Sequence, residues 1–182
     1  GFSGYLKLSD IACILDKTYS AFNKDRFLAE CKRRGLPDGK LIQKYSTGMK
    51  AKLRVLVAMC HDAELLIMDE PTAGMDIVAR NEILDIIRDY MTDSEDASML
   101  ITSHIAGDLE SICDDIYLID NGQIILHEDT DVILSDYAIL KLDEATYERF
   151  DKEYLLASHK EKFGYRCLTN QRQFYVENYP DA

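Results

Sequence analysis

The run Leu65-Leu66-Ile67-Met68-Asp69-Glu70-Pro71 constrains this chain more than any other segment. Four consecutive apolar residues without polar alternation predict a strand covered on both faces, as in parallel sheets. Two acids then mark its end, and Pro71 cannot donate to a sheet ladder. A second apolar run over 98–103 stops at His104. Helical periodicity separates and follows these runs, over about 47–60, 77–91 and a short stretch holding Leu109 and Ile112. Strands alternating with helices predict an α/β fold with a mostly parallel sheet. At 182 residues the chain suits one domain with a small appendage.

The flanks read differently. Up to about Leu41 the pattern is helical, and no strand is expected. Ser9 reads as an N-cap ahead of Ile11, Ile14, Leu15 and Tyr19. Asn23 opens a second helix with Phe27, Leu28 and Cys31 on one face, and Gly35 with Pro37 closes it. Residues 116–119 and 123–126 flank Asn121-Gly122, the signal of a type I′ hairpin. Beyond about Thr130, strands are expected at 137–142, 154–158 and 173–179, with a helix around 143–150, making a small α/β appendage.

Acidic residues outnumber basic ones 33 to 21, for a net charge of −12. Such a balance argues against non-specific nucleic-acid binding and against attraction to anionic lipid. No apolar run approaches the roughly 18 residues of a membrane span, and no signal peptide is visible at the start. The five cysteines are scattered without a CxxC pair, as expected of reduced thiols in a cytosolic protein, with Cys60 and Cys113 read as core residues.

The acidic pair carries the strongest chemical signal. Ligands of open α/β sheets bind at the carboxyl ends of the strands. There Asp69 can hold Mg²⁺ directly or through water, and Glu70 can orient and deprotonate an attacking water. The plainer alternative is that both cap a strand and a turn. Tyr45-Ser46-Thr47-Gly48-Met49-Lys50 begins a helix with a hydroxyl and a glycine, an arrangement suited either to a phosphate or to ordinary capping. His104 should end on the same sheet edge as Glu70, whereas His61, His127 and His159 read as structural. Ala73-Gly74-Met75-Asp76 is by itself a turn with Asp76 as the next N-cap.

In this order and spacing, the four segments resemble the nucleotide-binding subunit of an ATP-binding cassette (ABC) transporter, over about 45–127. Tyr45-Ser46-Thr47-Gly48-Met49 is similar to the family signature LSGGQ, keeping Ser46 and Gly48 and departing at Tyr45, Thr47 and Met49. The run 65–69 resembles the Walker B strand, Glu70 the catalytic glutamate, Ala73 to Asp76 the D-loop and His104 the switch histidine. The resemblance implies a partial P-loop NTPase divided into a helical subdomain (1–44), an ATPase core (45–129) and a C-terminal α/β extension (130–182). The extension loosely resembles that of bacterial exporter subunits.

What the resemblance implies about activity follows residue by residue. Glu70 and His104 would be catalytic, Asp69 the Mg²⁺ residue, and Ser46, Thr47, Gly48, Met49 and Asp76 nucleotide-binding. The cofactors would be ATP and Mg²⁺. The partners would be a transmembrane permease subunit, docking on residues 10–41, and a second ABC ATPase subunit, identical or not, on the inner face of the cell membrane. The sequence contains no G-x-x-x-x-G-K-[ST]. The expectation is therefore an N-terminally truncated exporter ATPase, inactive alone. The alternatives are a soluble ABC ATPase of translation or DNA maintenance, and a non-enzymatic ABC-derived module.

Overall fold

The computed structural model describes residues 2–61, 63–94 and 96–179. The chain divides into two compact units, Gly1–Ile112 and Cys113–Ala182. The first holds α1 (Leu8–Thr18), α2 (Lys24–Arg33), a 3₁₀ turn (Ile42–Lys44), α3 (Thr47–Ala58), β1 (Leu65–Asp69), α4 (Ile77–Asp93), β2 (Ser98–Thr102) and α5 (Ala106–Ile112). The second holds β3 (Asp115–Asp120), β4 (Gln123–Asp129), α6 (Thr130–Asp136), β5 (Ala138–Leu142), α7 (Glu144–Arg149), β6 (Leu155–Glu161), β7 (Gly164–Thr169) and α8 (Arg172–Asn178). No helix among the described residues is long and apolar enough to cross a membrane.

Among the described residues, the parallel part of this α/β chain is one pair of strands. β1 and β2 align from Leu65 opposite Ser98 to Asp69 opposite Thr102. Leu66 and Met68 enter the core with Ile83, Ile86 and Ile87 of α4 and Leu53 and Leu56 of α3. Coverage on both faces was expected and is not found: Leu65 and Ile67, on the opposite face, are 56% and 68% exposed. The pleat sends alternate residues to opposite faces, and the helices of this unit bury one set only.

Capping sets the helix starts. Asp76 accepts from the Ala79 N–H at 2.9 Å and Asn23 from the Arg26 N–H at 2.9 Å, both as the sequence predicts. Ser9 does not cap α1. Asp10 reaches back to the Lys7 N–H at 2.8 Å, so the helix begins at Leu8 and the Ser9 N–H donates to Asp38 instead. α2 ends at a left-handed Gly35 (φ 74°), with the Leu36 N–H on the Cys31 carbonyl and the Gly35 N–H on that of Lys32, a Schellman closure. The buried cysteines are Cys31 and Cys167, while Cys60 and Cys113 are only half-buried. Burial pushes the Cys31 thiol up to about 12.

In the second unit, β3 and β4 form the expected hairpin, with Asn121 (φ 46°) and Gly122 (φ 75°) both left-handed, as a type I′ turn requires. The order β5-β7-β6 makes a second, antiparallel sheet. Of residues 173–179, expected as a strand, 173–178 are helical in α8 and Tyr179 is its C-cap, and β7 was not anticipated. Tyr175 of α8 packs with Phe150, Leu140, Leu142 and Cys167. Helical spacing also sets Tyr175 beside Tyr179, so tertiary packing overrides the β-propensity of Phe174-Tyr175-Val176.

An ion-pair network joins α2 to α4. Glu30 binds Arg33 and Arg34, and both arginines reach Asp89. Burial alone would raise the Glu30 carboxyl, but hydrogen bonds from Arg33 and Arg34 outweigh it and hold the group below its ordinary range. Hydrogen bonding to Arg34 also lowers Asp89. Carboxyls depressed in the folded state stabilise it above their unfolded values, and that contribution fades as pH falls through the folded values. The midpoint of urea unfolding should therefore drop on acidification below about pH 4, and Arg34→Met should flatten the dependence. Ile83→Ala, at a fully buried position, should cost about 2–5 kcal/mol by the same measurement. At Gly164 (φ 135°) an added Cβ would lie 2.0 Å from the Leu142 carbonyl oxygen. Gly164→Ala should thus abolish β5–β7 pairing, read as loss of the stacked Tyr147–Tyr165 ring-current shifts.

Candidate functional site

The register of β1 and β2 ends both strands level, so the residues that follow share one edge. Thr102 ties the two tips together. Its hydroxyl donates to Asp69 Oδ1 at 2.6 Å and accepts from the Glu70 N–H at 3.1 Å. The same N–H also reaches the Thr102 carbonyl at 3.1 Å. Glu70 is left-handed (φ 47°), a conformation that costs a residue with a Cβ about 1–3 kcal/mol. These two contacts offset that strain and turn the side chain along the edge.

There His104 Nδ1 lies 2.8 Å from Glu70 Oε1. A carboxylate only accepts, so Nδ1–H donates in this contact. His104 is 72% exposed at its side chain and Glu70 32%. The other carboxylate oxygen, Oε2, is buried without a hydrogen-bond partner among the described residues. A buried acceptor left unpaired marks a place for a donor such as water. Asp69 is exposed, one of its oxygens held by Thr102. No cluster of three or more His, Cys, Asp or Glu side chains suited to a metal occurs among the described residues. Mg²⁺ in a nucleotide site needs only one or two carboxylates beside water and phosphate oxygens, and Asp69 fits that demand.

Of the remaining sequence-predicted residues, Ser46, Thr47, Gly48 and Met49 lie at the start of α3 and Asp76 at the start of α4. Ser46 accepts from the Met49 N–H at 3.2 Å, and Tyr45, buried, donates to the Pro37 carbonyl at 2.6 Å. Ser46 and Thr47 are exposed, and Gly48 and Met49 half-buried. Gly48 lets α3 approach α4 closely: an added Cβ would lie 3.0 Å from Ala79 Cβ. Asp76 is exposed at the N-terminus of α4. Sequence reasoning missed Thr102, whose signal was its position opposite Asp69. It also missed Thr72, Arg80 and Asp108, which meet through the fold and carry no local spacing.

No protein-family profile matches the chain. The linearmycin resistance ATP-binding protein of Bacillus subtilis is 39% identical over 84 residues, 46% of this chain and 26% of that protein. The lantibiotic transport ATP-binding protein of Streptococcus pyogenes is 35% identical over 94 residues, 52% and 40% of the two chains. Among solved structures, an ATP-binding subunit of an ABC transporter superposes with a TM-score of 0.61 at 23% identity, covering 74% of this chain and 57% of that one. An inward-facing metal-chelate type ABC transporter gives 0.61 at 15% identity, covering 96% and 71%. The fold is, in part, that of these ABC transporter ATP-binding structures. The chain is a homologue of ABC transporter ATP-binding proteins, and it spans less than half the length of these curated relatives.

Proposed function

We propose that this chain is part of the ATP-hydrolysing subunit of an ABC transporter of exporter type. The observation that carries the reading is the Glu70–His104 hydrogen bond at the strand edge shared with Asp69. Glu70 orients a water and takes its proton. The water oxygen attacks the γ-phosphorus in line as the bond to the β-phosphate oxygen breaks. General-base work of this kind contributes about 10²–10⁴-fold. His104 fixes the carboxylate through Nδ1–H. Asp69 would hold Mg²⁺, directly or through water, and the ion would neutralise phosphate charge.

The α3 start offers exposed N–H groups and a positive dipole end. In this reading Ser46, Thr47, Gly48 and Met49, with Asp76 nearby, act on a nucleotide held by the P-loop of a second ABC subunit. Residues 1–44 serve as helical subdomain, 45–129 as ATPase core and 130–182 as extension. Residues 10–41 are read as the docking surface for the permease, beside a cleft of about 270 Å³ lined by Arg26, Phe27 and Arg34 of the helical part and by Met59 and Tyr90 among others. The protein then works on the cytoplasmic face of the membrane. Two of the relatives, a linearmycin resistance protein and a lantibiotic transport protein, support export of such compounds.

The 182 residues lack a P-loop motif, so titration calorimetry on this chain alone should detect no appreciable Mg-ATP binding. In the complete protein, Glu70→Gln should lower ATP turnover at least 10²-fold while ATP-driven dimerisation persists in sedimentation. Wild-type turnover in that variant overturns the assignment.

A further inference from the structure

Behind the strand edge lies a buried carboxylate that the proposed chemistry does not use. Asp108, on α5, is 2% exposed. Its Oδ2 accepts from the Thr72 hydroxyl at 2.6 Å, and its Oδ1 pairs with Arg80 Nε. Thr72 is equally buried, and the Arg80 side chain is largely covered. Both carboxylate oxygens are therefore engaged, which is what keeps a buried ion in place.

The partners come from three separate segments, and each follows a candidate site residue closely. Thr72 stands two residues after Glu70, Arg80 four after Asp76, and Asp108 four after His104. The turn after β1, the first turns of α4 and the start of α5 thus converge on one side chain. Thr102 sets the two strand tips from the front, but nothing in that contact fixes where the chain goes after Glu70 or after His104. Asp108 supplies this constraint from behind.

We infer that Asp108 is the positioning residue of the site, its carboxylate locking the Thr72 turn to α4 and α5 so that Glu70 meets His104. The inference rests on the reading of Glu70 and His104 given above, but its test does not. The ¹⁵N shifts of the His104 imidazole report which ring nitrogen carries the proton. They are measured on this chain without nucleotide at about pH 8.5, where imidazoles are ordinarily neutral. The wild type should show one tautomer, Nδ1–H. Thr72→Val removes one hydrogen bond to Asp108 and keeps its ion pair. It should shift His104 towards a mixture of tautomers while the methyl signals of Ile11 and Ile83 stay dispersed. Thr72→Ser should restore the wild-type spectrum, and Asp108→Asn should shift His104 further.

A folded Thr72→Val with wild-type His104 shifts overturns the proposal. So does loss of the fold in Thr72→Val, because the cluster would then be a requirement for folding and not a positioning device. If Asp108→Asn fails to fold, Thr72→Val and its rescue by serine carry the result alone. Tautomer shifts without any change in ATP turnover by the complete Thr72→Val protein would uphold the positioning role. They would instead remove Glu70 and His104 from the chemistry.

Discussion

The pairing of Asp69 with Thr102 at the ends of two parallel strands is the contact on which the site depends. Parallel strands place successive residues at the same height, so whatever follows Asp69 and Thr102 must emerge on one edge. A threonine hydroxyl there can donate to one carboxylate and accept from the next N–H at the same time. Thr102 does both, which lets Glu70 adopt a left-handed backbone that its Cβ disfavours. Valine would keep the strand propensity and lose both contacts. The strain at Glu70 is therefore not isolated. It is held from the strand side by Thr102 and, through the Thr72 turn, from the helix side by Asp108.

How much of this was legible depended on whether the signal was local. The run 65–69 with its acidic end, the caps Asn23 and Asp76, and the Asn121-Gly122 turn each depend on neighbours in sequence, and each appears where the pattern puts it. The errors have physical reasons as well. An unbroken apolar run says that a strand is compatible with cover on both faces, not that cover is present, and Leu65 and Ile67 stand exposed. Phe174-Tyr175-Val176 has strand propensity, yet Tyr175 earns full burial only as part of a helix that places it over Phe150. β7 escaped notice because its start needs Gly164 at a φ of 135° pressed against Leu142, a tertiary demand with no trace in composition.

The site divides along the same line. Asp69, Glu70 and His104 could be read from two strand ends, because sheet geometry brings any two such ends together. Thr72, Arg80 and Asp108 are a threonine, an arginine and an aspartate on three segments with no common spacing. Nothing in the sequence tells a buried aspartate from a surface one in a chain with 33 acids. Burial separates them: Asp108 is enclosed with both oxygens bonded, whereas Asp85 meets Arg88 in an exposed pair, of the kind that contributes little.

The start of α3 shows how structural and chemical demands fall on the same residues. Ser46 closes the first turn by accepting from Met49 N–H, Gly48 admits Ala79 of α4, and Met49 packs against the core. These uses account for a hydroxyl, a glycine and an apolar residue at those three places without any ligand. They also bear on the departures from the LSGGQ pattern. Met49 stands where the pattern has glutamine and packs against the core, and Thr47 is exposed at the first helical position. The N–H groups and dipole of the helix end do not depend on either side chain. The course of this helix start is set by Ser46, which caps it, and by Gly48, which lets it lie against α4.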